Sequence, residues 1–212
     1  MTLNIKYSND DSIIEIGIDE AGRGPLFGRV YVAAVILPKD SNFDISNIKD
    51  SKKFSSKKKI NNVAEYIKNN SMYWTVQYID EKTIDEINIL QATQKCMHKC
   101  IDNIIEQMKN NNNNNEVMLL VDGNYFNPYK NIPNICIENG DNMYASIASA
   151  SILAKVERDK YIEELCDEYP ELKEKYSIHT NKGYGAAKHI EGIKKYGITE
   201  WHRKSFGICK SY

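Results

Sequence analysis

The chain contains no apolar run of the roughly 18 residues that a membrane-spanning helix needs, and its first residues, Met1 to Ser12, are polar. A membrane span and a secretory leader are therefore not expected, and a cytoplasmic location is. Its five cysteines, Cys96, Cys100, Cys136, Cys166 and Cys209, include no Cys-x-x-Cys pair and are odd in number, which argues for a reducing compartment and against a zinc site. Cys96 and Cys100 lie one helical turn apart on an apolar face and read as core. No G-x-x-x-x-G-K-[S/T] phosphate loop occurs. The glycines Gly22 and Gly24 lack the third glycine of a dinucleotide fingerprint, because position 27 is Phe27. The four histidines, His98, His179, His189 and His202, are too scattered to argue a general base. Net charge is only −1, with 28 basic against 29 acidic residues, so overall charge alone predicts no polyanion partner.

What is present is unevenly placed. Lys49 to Lys59 holds six basic residues and one acid, and Asn181 to Tyr212 holds seven and two. Two basic patches on an otherwise acidic chain suit local phosphate contacts. With 212 residues, 42% of them hydrophobic, one α/β domain with a sizeable core and a small appendage is expected.

The β-branched run Ile13, Ile14, Ile16, Ile18 reads as a strand ending at Asp19-Glu20, and Val30 to Leu37 as its neighbour across a glycine-punctuated turn. A polar connection from Pro38 to Phe54 follows, then a helix capped by Ser55 or Ser56 with Ile60, Val63, Ala64 and Ile67 at helical spacing. Tyr73 to Ile79 alternates as a third strand. The clearest periodicity predicts a helix from about Asn88 to Lys109, and the asparagine run Asn110 to Asn115 reads as a loop. Val117 to Val121 is a strand buried on both faces, ending at Asp122-Gly123. Ile135 to Ile137 is a weaker strand leading to Gly140-Asp141 and a helix from Met143 to Lys160. That helix carries a small-residue surface (Ala145, Ser146, Ala148, Ser149, Ala150, Ser151) that lets it approach the sheet closely. Helix continues to Tyr169, and another runs from about Ala186 to Tyr196.

Three antiparallel strands followed by two parallel to the first is the plan of the ribonuclease H-like fold. The expected fold is thus a five-stranded mixed sheet flanked by helices: residues 1–170 form the core domain and 171–212 a helical extension packed on it. The plan sets the ends of the first and fourth strands side by side with Asp141 next to them. Asp19, Glu20, Asp122 and Asp141 then share one site. Clustered carboxylates repel by about 4 kcal/mol per pair at 4 Å and an effective dielectric near 20, so they call for a cation. All-oxygen ligands select Mg²⁺ or Mn²⁺, commonly two ions arranged for in-line displacement at phosphorus.

These residues resemble the ribonuclease HII family. The resemblance rests on the ordered set Asp19-Glu20-Ala21-Gly22-Arg23-Gly24-Pro25-Leu26, Asp50-Ser51-Lys52, Asp122-Gly123, Gly140-Asp141, Ser146-Ile147-Ala148 through Val156, Arg158-Asp159, Lys182-Gly183-Tyr184-Gly185, His189 and His202-Arg203-Lys204-Ser205-Phe206. It implies that Asp19, Glu20, Asp122 and Asp141 bind metal and are catalytic. It also implies cleavage of the RNA strand of RNA/DNA hybrids, and incision of duplex DNA 5′ of an embedded ribonucleotide to leave 3′-hydroxyl and 5′-phosphate ends. Gly22, Arg23 and Gly24 would read the 2′-hydroxyl. Tyr184 would stack on the following sugar, although a turn tyrosine folded onto the core is the alternative for it. Lys52, Lys182, Arg203 and Lys204 are phosphate-contact candidates. Arg29, Phe54, Asn181 and Ala186 depart from the family pattern, and the last two weaken the expected junction preference. The tail after Phe206 lacks a sliding-clamp motif; a monomer with no obligate protein partner is expected. Two alternatives stand beside this: a non-catalytic nucleic-acid-binding protein on the same fold, and a hybrid-only enzyme like ribonuclease HIII. The dozen or so residues before the first strand speak against the second.

Overall fold

The computed structural model describes residues 3–39 and 43–212. The polar connection after Pro38 thus lies partly outside the described residues, as do the first two residues. Five strands form one sheet: β1 (Ile14–Ala21), β2 (Val30–Ile36), β3 (Tyr73–Ile79), β4 (Val117–Asp122) and β5 (Asn134–Ile137). Their spatial order is β3-β2-β1-β4-β5. The β1–β2 and β2–β3 pairs are antiparallel, whereas β1–β4 and β4–β5 are parallel, the mixed sheet expected from the sequence. β1 is central because its first six residues are all buried, with a partner of each direction at its edges.

The alternation of β1 and β2 divides the core. Ile14, Ile16 and Ile18 with Val30, Val32 and Ala34 pack under α2 (Glu81–Asn110) and its Cys96, Met97, Cys100, Ile101 and Ile104. Tyr31, Ala33 and Val35 face α1 (Lys57–Asn70) and α3 (Ala145–Glu168). Cys96 and Cys100 are fully buried core residues. α1 is capped by Ser56, whose side chain accepts from the Lys59 amide.

α2 starts about two turns earlier than its periodicity implied. Asp80 caps its first turn, and at Asn88 the backbone leaves helical geometry, with φ 64° and ψ 165°. The Asn88 side chain then accepts from the Gln91 amide at 3.1 Å and caps the next stretch. The expected start at Asn88 therefore coincides with this internal break rather than with the beginning of α2.

The small residues of α3 do what their size permits. A Cβ added to Gly17 of β1 would lie 2.3 Å from the Ser146 carbonyl carbon and 2.5 Å from the Ile147 amide nitrogen, so helix and strand meet backbone to backbone. After α3 come α4 (Glu171–Tyr176), α5 (Ile178–Asn181) and α6 (Ala187–Tyr196). They surround a separate apolar cluster built on Phe27, Ile162, Leu172, Ile178 and Ile193. Phe27 comes from the turn after β1. It stands edge-on to His202 at 5.1 Å between ring centroids, and this joins the C-terminal segment to the β1–β2 connection.

Candidate active site

The parallel register pairs Ile18 with Val121, so Asp19 and Asp122 leave the ends of adjacent strands one residue further on. Asp19 falls on the α3 face and is almost fully buried. Glu20 follows with its side chain largely buried. Asp141 lies in a short 3₁₀ turn, Gly140–Asn142, and is itself buried. That turn is fastened to the sheet by the Gly140 amide, which donates to Asp122 Oδ1 at 2.7 Å. It sits so close to α3 that a Cβ on Gly140 would meet Ile147 Cδ1 at 2.6 Å.

All four acids line one cleft of about 490 Å³ together with Gly22, Arg23, Gly24, Lys52, Lys182 and Tyr184. Each carboxylate is held by a nearby donor. Asp19 Oδ1 accepts from the Glu20 amide at 2.7 Å, Glu20 Oε1 from Arg23 at 3.4 Å, and Asp141 Oδ1 from Asn142 Nδ2 at 2.9 Å. Among the described residues no three Asp, Glu, His or Cys side chains are already closed on a common point.

The electrostatics favour a shared ion. Burial pushes Asp19 well above the usual carboxylate range, and the charges of Glu20 and Asp122 add to it. Burial raises Glu20 too; Arg23 opposes that rise and Asp122 reinforces it. Asp122 is raised by burial and then by Asp141, and Asp141 by burial and then by Asp50. Four acids each made reluctant to ionise, mostly by burial and one another, form a set whose charged state requires a counter-cation. The donors are all oxygen, which suits a hard divalent ion.

The opposite wall comes from two turns. Gly22 has φ +97°, and a Cβ there would strike Arg158 Nε at 2.3 Å, so this turn admits only glycine. Tyr184 is 52% exposed and its ring lies beside Gly24, where an added Cβ would touch Cε1 at 3.4 Å. Its ring is in the cleft, not folded onto the core. Lys52 is exposed on the rim and its charge reaches Glu20, Asp122 and Asp141. Lys182 is tied to Glu163 at 3.2 Å. Asn181, one of the departures, shapes the turn: its Nδ2 donates to the Tyr176 carbonyl at 2.7 Å and its Oδ1 accepts from the Gly183 amide at 2.8 Å.

One sequence expectation is corrected. Arg203 is not a phosphate contact: it is fully buried, and its guanidinium donates to backbone carbonyls of the Gly22 to Gly28 turn. Lys204 is exposed but is not among the residues lining the cleft; its amide donates to Asp85 of α2 at 2.7 Å. Residue spacing cannot tell an arginine that faces solvent from one that turns inward.

Sequence reasoning missed three other features. Ser151 of α3 stands close enough to Asp19 to favour its charged form, and its Oγ lies 3.1 Å from Ser51 Oγ. Arg158, part of the motif set but given no role, donates to the carbonyls of Phe27 and Lys182 at 3.3 and 3.0 Å. His189 and His202, 13 residues apart, meet at 3.1 Å through their Nε2 atoms. His202 Nδ1 accepts from the Thr199 amide at 2.9 Å, so its Nε2–H donates to His189 and His189 Nδ1–H donates to the Tyr184 carbonyl at 2.8 Å. Burial, then His189, holds His202 down to about 3, and the pair is neutral. A serine or histidine partner contributed by a distant segment has no local sequence signal.

Comparison with known proteins bears on the family and the fold. The Ribonuclease HII family model matches residues 16–209. Ribonuclease HII of Bacteroides thetaiotaomicron is 42% identical over 204 residues, covering 96% of this chain and 94% of that protein. That of Parabacteroides distasonis is 45% identical over 195 residues, covering 92% and 90%. Among solved structures, the PCNA:RNase HII complex from Archaeoglobus fulgidus has a chain that matches with a TM-score of 0.71 at 24% identity, covering 92% of this chain and 96% of that one. Bst-RNase HIII in complex with Mn²⁺ matches with a TM-score of 0.66 at 17% identity, covering 86% and 70%. The structural likenesses speak for the fold alone, while the sequence relatives span nearly all of both partners. The chain belongs to the ribonuclease HII family, the enzymes of ribonuclease H activity on RNA/DNA hybrids.

Proposed function

We propose that this chain is a divalent-metal-dependent endonuclease. It cuts the RNA strand of RNA/DNA hybrids and incises duplex DNA on the 5′ side of an embedded ribonucleotide, serving ribonucleotide removal. The observation that carries this reading is the cleft itself, where four carboxylates, each raised first by burial, stand together with Gly22, Gly24 and an exposed Tyr184. Asp19, Glu20, Asp122 and Asp141 hold Mg²⁺ or Mn²⁺, two ions during the reaction. When bound, the ions supply charge stabilisation at phosphorus and lower the cost of deprotonating water.

This chain's own residues do the rest. Lys52 at the rim meets a phosphate oxygen, a contact that also offsets repulsion between the incoming backbone and the acids. The Gly22-Arg23-Gly24 turn offers backbone groups to the 2′-hydroxyl, the one substituent that separates ribose from deoxyribose. Tyr184 stacks on the next sugar. Water oxygen bonds to phosphorus as the bond from phosphorus to the 3′-oxygen breaks, leaving 3′-hydroxyl and 5′-phosphate ends. Residues 171–212 act as the substrate-binding extension of a 1–170 core, and no obligate protein partner is needed.

The test is a duplex carrying one ribonucleotide, incubated with folded protein in Mg²⁺ and separately in Mn²⁺, with products mapped at nucleotide resolution. Incision 5′ of the ribonucleotide is expected. No incision in either metal would refute the reading.

A further inference from the structure

Arg203 is a fully buried cation that makes no ion pair within 4 Å among the described residues, Glu81 and Asp85 favouring its charge only from further away. Four of its five donors are spent on main chain. Nε reaches the Gly28 carbonyl at 2.8 Å, Nη1 the carbonyls of Arg23 and Pro25 at 3.1 and 2.9 Å, and Nη2 the Gly22 carbonyl at 2.7 Å. Burying a guanidinium this way is costly, and a methionine would fill the space more cheaply. Arg158 stands close enough for its charge to disfavour that of Arg203, and it too donates only to carbonyls of this region, those of Phe27, Arg29 and Lys182. Two buried like charges are thus devoted to one turn.

The geometry of the peptide bond says what they achieve. In a trans peptide the N–H points opposite to the C=O, and the described residues contain no cis peptide. Drawing the Gly22 and Arg23 carbonyls inward onto one guanidinium turns the amides of Arg23 and Gly24 outward, on the side away from Arg203. Gly22, Arg23 and Gly24 line the cleft, and neither amide donates to another group among the described residues. By contrast, the Leu26 amide beyond the Pro25 carbonyl is occupied, donating to Gly183 at 2.8 Å. The turn therefore has two free donors, and both are set by the orientation of peptides that Arg203 holds.

We propose that Arg203 is a positioning residue for ribose recognition: by pinning the Gly22 and Arg23 carbonyls it aims the Arg23 and Gly24 amides at the sugar hydroxyl, and so sets the preference for ribonucleotide over deoxyribonucleotide. This rests on the function proposed above. Lysine cannot replace arginine here, because a single ammonium lacks the planar fork that spans four carbonyls.

The test uses the full chain with Arg203→Lys and Arg203→Met, each in an Asp122→Asn background so that the substrate survives. Affinity is measured for a duplex with one ribonucleotide and for the same duplex in all-DNA form. The affinity ratio between the two is expected to fall about tenfold while all-DNA binding holds within about twofold, the loss of one or two hydrogen bonds to the hydroxyl. In the Asp122-containing parent, kcat/KM at the single ribonucleotide should fall roughly a hundredfold, mainly through kcat, as for a displaced reacting group. An unchanged ratio in a folded variant overturns the proposal. A second measurement needs no variant: amide exchange at Arg23 and Gly24 in the unsubstituted chain should slow with the ribonucleotide duplex and not with the all-DNA duplex. Equal slowing by both, or by neither, overturns it even where the variants fail to fold. Failure of the parent chain to incise refutes the proposed function instead, so the two failures are distinguishable.

Discussion

Removing an acid from the cleft should make the metal-free protein more stable. Asp19 and Asp122 leave adjacent strands one residue past the Ile18–Val121 pair. Neighbouring strands stand about 4.8 Å apart, and unit charges at that spacing repel by about 3.5 kcal/mol at an effective dielectric near 20. Asp141 adds to the repulsion on Asp122. Asp122→Asn removes the charge but keeps the Oδ1 that accepts from the Gly140 amide, so little is lost in exchange. Allowing for water in an open cleft, a gain of about 1–3 kcal/mol is expected, or about 3–9 °C in Tm for a chain of this size.

The pH dependence fixes the sign. Carboxylates raised in the folded state keep protons that the unfolded chain has released, so stability falls as pH rises from their unfolded values through the raised ones. The variant's advantage should therefore be greatest near pH 8 in EDTA and shrink toward pH 5. Comparing variant with parent cancels the opposite contribution of the neutral His189–His202 pair, whose stabilisation is lost as pH falls. Saturating Mg²⁺ should reverse the order, because only the parent gains the full binding energy. Thermal unfolding across pH, with chelator and with Mg²⁺, is the assay. A variant no more stable than its parent in EDTA at pH 8 would refute the repulsion argument, and incision by that variant would remove Asp122 from the catalytic set.

Three further outcomes follow from particular contacts. Gly17→Ala forces a Cβ to within 2.3–2.6 Å of Ser146 and Ile147; a loss of about 3 kcal/mol is expected for such overpacking, read as a lower midpoint in urea unfolding. Tyr184→Ala should weaken binding at the RNA–DNA junction about tenfold, in line with the loss of one stacking platform, whereas Tyr184→Phe should leave it unchanged; equal loss in both would assign the effect to the hydroxyl. The imidazole of His202, held down to about 3 by burial and His189, should stay neutral at pH 5 by nitrogen-edge NMR shifts, and titration near the ordinary value of about 6.5 would refute the relay to the Tyr184 carbonyl.

The sheet and the acids were legible in the sequence because their signals are local. Ile13 to Ile18 alternates into Asp19, Val117 to Val121 is uninterrupted into Asp122, and the small residues from Ala145 to Ser151 announce a close helix. Once strand direction was inferred from the intervening helices, the side-by-side placement of Asp19 and Asp122 followed from topology alone. The break at Asn88 was not legible, since its φ of 64° has no residue signature beyond asparagine's tolerance of that region.

The other wall was not legible, and Arg203 is the reason. A basic residue in a basic segment reads as a surface charge, because composition records charge and not direction. Its true environment is set by the Gly22 to Gly28 carbonyls some 180 positions earlier, and by Phe27, which draws the C-terminal segment over the turn. The same holds for His202, whose partner His189 lies across a helix end. The acids are thus the product of one sheet and the Gly140–Asn142 turn fastened to it, while the Gly22-Arg23-Gly24 turn beside them is held from a distant segment by buried cations. A substitution at the C-terminal segment should accordingly reach the chemistry through the shape of the Gly22-Arg23-Gly24 turn, leaving the carboxylates where the strands put them.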